Sequence, residues 1–197
     1  MWRTRFPALR FDPVAVAVFS ALLLTERLGT VCALASAVAA HEAGHLFAAR
    51  LLQVRVKSVR FGLLGARIGV LGLLSYKSEA LLAAAGPAAS FLCAALTAPF
   101  LSVGFFGQTC AFSLILGALN LLPVQSFDGG RIAQSLVCAR WGGAFAASVL
   151  RWISFAVLTL LWLFSVYLLL RAGSGISWLG FSASLLGRFF SANSRNT

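Results

Sequence analysis

Residues 37–50 read AVAAHEAGHLFAAR: a helix-forming, lipid-compatible run that carries His41, Glu42 and His45. These are the only two histidines in the chain. Positions i and i+4 of an α-helix share one face and lie about 6 Å apart along its axis, so His41 and His45 can grip a single ion. Neutral imidazoles suit zinc. Glu42, one residue past the first ligand, projects near the same site and can stay uncoordinated as a general base. A single intramembrane histidine would be explained by a hydrogen bond to a neighbour. Both histidines at this spacing, with one of the three glutamates between them, would arise in about one of several thousand shuffled sequences. Burying these groups in hydrocarbon costs several kcal/mol unless they satisfy one another or bind a metal, and the spacing points to the metal.

The rest of the composition puts this helix in a membrane. The chain has 197 residues, 60% hydrophobic and 11% charged, with a mean hydropathy of +0.91. A soluble domain needs about a quarter charged residues for its surface. Each span takes about 20 apolar residues, so a chain of this length has room for five or six crossings in one bundle and no second sizeable domain. The net charge of +11 would suggest nucleic acid in a soluble protein, but the basic residues sit between apolar runs, where membrane topology uses them. No nucleic-acid partner is expected. Cys32, Cys93, Cys110 and Cys138 lie singly in apolar runs without CxxC spacing, and read as buried small hydrophobes.

Apolar runs cover about residues 13–25, 28–50, 80–103, 105–122 and 152–171, with a weaker run at 176–190 that either crosses or lies in the interface. The first follows a basic segment like a signal peptide but lacks a small-residue cleavage site, so a retained helix is expected. Residues 51–79 differ: Val54, Val56 and Val59 lie among Arg55, Lys57 and Arg60, and glycines at 62, 65, 69 and 72 follow. A β-hairpin or re-entrant segment fits them better than a span. The expected fold is an all-α polytopic bundle of five or six transmembrane helices, with that small segment after the second. Arg3, Arg5 and Arg10, then Arg50 through Lys77, then Arg131, Arg140 and Arg151 fall on one side of alternating crossings. The N-terminus is thus expected in the cytoplasm.

A catalytic zinc needs a third protein ligand and an open position. With no third histidine, the residues alone leave Asp128, Asp12, Glu26, Glu79 or a cysteine. Asp128, in GALNLLPVQSFDGGRI, stands out, although Asp-Gly is also a common turn dipeptide. Asp128 lies three residues before Arg131 and His41 nine before Arg50, so both approach the cytoplasmic side; Asp12 and Glu79 do so as well.

HEAGH, then Gly86-Pro87 in AAAGPAAS, then NLLPVQSFDGG, resemble in order and spacing the site-2 protease family of intramembrane zinc metalloproteases. More narrowly they resemble its short branch that processes a sporulation sigma-factor precursor. The resemblance covers about residues 12–140. It implies one zinc per chain held by His41, His45 and Asp128, with Glu42 as catalytic base and Asn120 holding the substrate strand or polarising its carbonyl. Pro123 and Gly129 would shape the loop that delivers the aspartate. Ser126 and Ser90 depart from the family, which often has proline and asparagine there. The whole chain, 1–197, then reads as one intramembrane metalloprotease domain. Its catalytic core spans about 28–140, its surface or re-entrant segment 51–79 and its C-terminal helices 152–190.

Under this reading the partners are the lipid bilayer, a membrane-tethered regulator or pro-protein as substrate, with residues 54–60 as an edge strand that holds it extended, and a regulatory membrane partner. Basic residues 54–60 suit anionic lipid equally well. The non-enzymatic alternative is an intramembrane metal-binding or transport protein. A transporter ordinarily needs several polar stations along its path, and the other spans are nearly devoid of ionisable groups.

Overall fold

The computed structural model describes residues 8–11, 20, 24, 26–54, 56–62, 65–70, 74–172 and 176–193. The expected first span at 13–25 lies almost wholly outside the described residues, as do Asp12 and the basic residues Arg3 and Arg5.

Among the described residues, six helices carry most of the chain: α1 Leu28–Leu51, α2 Tyr76–Thr97, α3 Gly104–Asn120, α4 Asp128–Trp141, α5 Gly143–Ala172 and α6 Ile176–Asn193. Among the described residues, three segments, Leu28–Leu51, Tyr76–Phe100 and Gly143–Arg171, are long and apolar enough to cross a membrane, and α3 is a shorter apolar helix. The chain is a multi-pass membrane protein. Two boundaries depart from the apolar runs. The helix expected from residue 152 begins at Gly143, and residues 128–141, between two runs, form a helix of their own. Both differences have one cause: mixed sequence such as DGGRIAQSLVCARW can be helical without the hydropathy of a span.

Three strands form a small sheet in the order β1 (Ala8–Phe11), β2 (Val56–Gly62), β3 (Gly65–Val70). β2 and β3 pair antiparallel, while β1 pairs parallel to β2 with Ala8 opposite Ser58 and Phe11 opposite Phe61. This corrects the expectation that residues 54–60 offer an edge. β2 is the middle strand, paired on both sides, and the outer edges belong to β1 and β3. β3 lies against α1. The chain leaves α1 through Gln53, whose φ of 54° is left-handed, with Val54 N–H donating to Ala49 O at 2.8 Å.

α1, α2 and α3 pack mutually, α2 also against α4, and α4, α5 and α6 in succession. The inward faces are built mostly from small or polar residues, with Val31 on α1 and Leu82 and Pro87 on α2 as larger exceptions. Among the small and polar ones are Ala33, Ala37, His41, His45 and Ala49 on α1; Ala83, Gly86, Ser90 and Ala94 on α2; and Thr109, Ser113, Gly117 and Asn120 on α3. Large side chains point outward, among them Phe47, Leu92 and Trp152. Lipid tails are as apolar as leucine, so burying leucine against a neighbouring helix gains little. Close approach of backbones is what holds such helices together. Gly44 marks such an approach between α1 and α2, since a Cβ there would overlap Ala85 O and the Ala89 methyl.

Gly44→Ala is therefore expected to lower stability in detergent micelles by about 1–3 kcal/mol, the usual cost of overpacking, and with it the melting temperature. Gly180→Ala, in α6 with nothing near its Cβ position, should raise stability by up to about 1 kcal/mol through helix propensity. A thermal melt of both variants reads the opposite signs.

Candidate metal centre

Among the described residues, a single group of metal-ligating side chains converges: His41, His45 and Asp128, all buried. His41 Nε2 and Asp128 Oδ2 are 3.2 Å apart, His45 Nε2 and Asp128 Oδ2 3.1 Å, and the two Nε2 atoms 3.3 Å. The histidines meet because they lie one turn apart on α1, with ring centroids 4.9 Å apart. The aspartate reaches them from 87 residues away.

The protonation of this triangle follows from the opposite ring nitrogens. His45 Nδ1 lies 2.8 Å from Leu82 O. A carbonyl can only accept, so His45 Nδ1 carries the hydrogen and its Nε2, in the neutral ring, presents a lone pair. His41 Nδ1 lies 2.8 Å from Ser90 Oγ, a hydroxyl able to accept in the same way. Two imidazole lone pairs and a carboxylate oxygen at these separations repel one another unless a cation lies among them. Donors on a tetrahedral zinc with bonds of about 2.0–2.1 Å stand about 3.3 Å apart, the spacing seen here. Two nitrogens and one carboxylate oxygen form a donor set that zinc accepts, with a fourth position left over. The residues present can hold one zinc ion.

Asp128 is the first residue of α4, where its negative charge meets the positive end of the helix dipole. The preceding chain is wound tightly: Val124 N–H donates to Leu122 O at 2.7 Å and Phe127 N–H to Val124 O at 2.9 Å. The helix then begins directly against that loop. A Cβ at residue 129 would overlap Leu121 O, and one at residue 130 would overlap Val124 O, so only glycine fits at either position. The loop is anchored from behind. Val124 and Phe127 pack with Leu158 of α5 and with Leu185 and Phe189 of α6, and Gln125 N–H donates to Ser154 Oγ at 3.0 Å. The loop that delivers the aspartate thus ends at Phe127, and Gly129 already lies in α4.

Gly86, of the Gly-Pro pair, borders the triangle. A side chain there would run into the Nε2 atoms of both histidines, so the bare α-carbon leaves the space in which the donors converge. Glu42 is buried on α1 beside His41 and within electrostatic reach of His45. The Asn120 side-chain amide donates to Leu116 O at 3.0 Å, one turn back in its own helix, which uses one of its two amide hydrogens. Of the other carboxylates weighed as ligands, Glu26 is exposed just before the start of α1 and Glu79 lies in the first turn of α2. Neither joins the triangle, nor does a cysteine among the described residues. Sequence reasoning did not find the Leu82 carbonyl or Arg131, whose Nη1 stands 3.9 Å from Asp128 Oδ1. The spacing of 82, 86 and 90, in steps of four and matching His41 and His45 across the helix pair, is the signal it could have used.

The model of peptidase family M50 matches residues 102–164, a stretch that contains Asn120 and Asp128 but not the HEAGH helix. Over 133 residues, 61% of this chain, the sequence is 31% identical to Rip3 of Mycobacterium tuberculosis, named as a candidate zinc metalloprotease. Over 113 residues, 53% of this chain, it is 25% identical to a zinc metalloprotease of Methanocaldococcus jannaschii. The chain spans about a third of the length of these relatives, 34% and 33%. In fold it is similar to the solved site-2 protease from Methanocaldococcus jannaschii, with a TM-score of 0.72 over 98% of this chain and 93% of that one, at 17% identity. The family model and both relatives are thus zinc-peptidase likenesses over part of the chain, and the solved structure shares its fold.

The tightness around Gly86 makes a direct prediction. Gly86→Ala should displace the two imidazoles and abolish stoichiometric zinc binding while leaving helix content intact. Elemental analysis of the purified protein, beside its circular dichroism spectrum, checks both halves.

Proposed function

We propose that this chain is an intramembrane zinc metalloendopeptidase of the site-2 type, which hydrolyses a peptide bond of a membrane-associated protein near the cytoplasmic face. The observation that carries the reading is the triangle of two imidazole nitrogens and one carboxylate oxygen with edges of 3.1–3.3 Å inside an apolar bundle. His41, His45 and Asp128 are the proposed ligands. Bound there, zinc supplies Lewis-acid chemistry, polarising a carbonyl and lowering the pKa of water toward about 7.

The chain's own residues have the remaining work. Glu42, held on the same helix as both histidines, takes the proton of the attacking water and hands it to the leaving amine. Asn120 offers its second amide hydrogen to the substrate carbonyl or strand. Gly86 keeps bulk away from the reacting atoms. The buried ligands and small-residue interfaces hold the constellation without the reorganisation that water would demand.

A peptide bond within a helix has its carbonyl engaged, so the substrate must be extended where it is cut. The outer edge of β3, on the strand that lies against α1, suits an added substrate strand better than β2, which is already paired on both sides. The distribution of arginine and lysine supports a cytoplasmic N-terminus and access from that side. A bundle of five or six spans, a sporulation sigma-factor precursor as substrate and a regulatory membrane partner belong to the same proposal, on the strength of the motif resemblance.

Co-expression with a membrane-tethered reporter tests it. Glu42→Gln should keep one zinc per chain and lower cleavage by about 10²–10⁴-fold, the usual contribution of a general base, whereas Asp128→Ala should lose both metal and cleavage. A chain that moves zinc across vesicles and leaves every reporter uncut would be a transporter.

A further inference from the structure

α2 faces the two histidines with three residues at four-residue spacing, and each meets the rings differently. Leu82 presents its backbone carbonyl to His45 Nδ1 at 2.8 Å. Gly86 presents an absent side chain to both Nε2 atoms. Ser90, fully buried, presents its hydroxyl to His41 Nδ1 at 2.8 Å. As the α1 number falls from 45 to 41 the α2 number rises from 82 to 90, so the two helices run antiparallel here. One face of α2 matches the two imidazoles of α1.

The two outer contacts are chemically unequal. The Leu82 carbonyl has no hydrogen to give, so His45 has a single possible tautomer. Ser90 can accept from Nδ1–H, leaving a lone pair on His41 Nε2, or donate to a bare Nδ1, which puts a hydrogen on Nε2 and aims it into the triangle. Only the first arrangement makes His41 a ligand. We infer that Ser90 is a positioning residue for the metal centre: its hydroxyl oxygen accepts the His41 Nδ1 hydrogen and holds that ring in the ligating tautomer. The inference rests on the zinc reading above and adds to it the residue that prepares the first ligand. Partners of this kind, hydrogen-bonded to the far nitrogen of a ligating histidine, are typically worth about 10–100-fold in metal affinity.

The test uses the full chain in detergent. Zinc affinity is measured by competition with a chromophoric chelator for wild type, Ser90→Ala and Ser90→Thr. The imidazole nitrogens are observed by ¹⁵N NMR with and without zinc; with two histidines in the chain, the spectrum resolves each ring. Ser90→Ala should bind zinc about 10–100-fold more weakly. In the metal-free protein its His41 signals should shift toward a mixture of tautomers while those of His45, still held by Leu82, stay in place. Ser90→Thr, which keeps the hydroxyl, should retain the wild-type His41 signals, a rescue that loss of packing alone would not produce. Equal zinc affinity in wild type and Ser90→Ala, or unchanged His41 signals on losing the hydroxyl, would overturn the assignment of Ser90 and leave the zinc site standing. Failure of the wild type itself to bind zinc would instead remove the metal reading.

Discussion

Three lone-pair atoms drawn within 3.3 Å of one another inside a bundle of alkyl groups are the constraint on which the rest of the molecule depends. Such an arrangement is unfavourable until positive charge enters it, and every surrounding feature works to keep it from relaxing. Alanine and glycine on the inward faces bring the α1 and α2 backbones close enough that the rings cannot swing away. The carbonyl of Leu82 and the hydroxyl of Ser90 take up the far nitrogens. A chain that only needed hydrophobic helices could have buried bulkier side chains, which would have pushed these backbones apart.

The third donor has a different kind of support. Asp128 stands at the start of a short helix whose first turn rests on the loop before it, and that loop is backed by a cluster drawn from α5 and α6. The C-terminal helices, which contribute nothing to the triangle, therefore determine where its carboxylate sits. Ser154, buried on α5, fits the same pattern. It receives the Gln125 N–H, so the loop is tied both by apolar packing and by a hydrogen bond to α5.

Legibility in the sequence followed the range of the interaction. The pairing of His41 with His45 is set by the helical repeat, so it could be read from five letters. The two glycines after Asp128 read as a turn signal, whereas the structure shows them as the clearance that lets α4 begin on top of residues 121–124. The helix at 128–141 has too little hydropathy to announce itself as a span. The parallel pairing of Ala8–Phe11 with β2 joins segments more than 40 residues apart through backbone groups, which every sequence possesses equally; this is why β2 read as an edge when it is the centre of its sheet. A backbone acceptor such as Leu82 O is invisible for the same reason.

The sequence by itself determined that the chain lies in a membrane, that one helix carries two imidazoles on a common face with a carboxylate beside them, and which aspartate the motif order selects. These are properties of composition and of a 3.6-residue period, both local. Only the tertiary structure decided that the aspartate meets the imidazoles at 3.1 and 3.2 Å, which far nitrogen has which partner, and which strand edges remain open. Those outcomes depend on how separate helices pack, and the packing is settled by clearances of a single methyl group at positions such as 44, 86, 129 and 130, where the consequence of having no side chain appears only once the neighbouring backbone is in place.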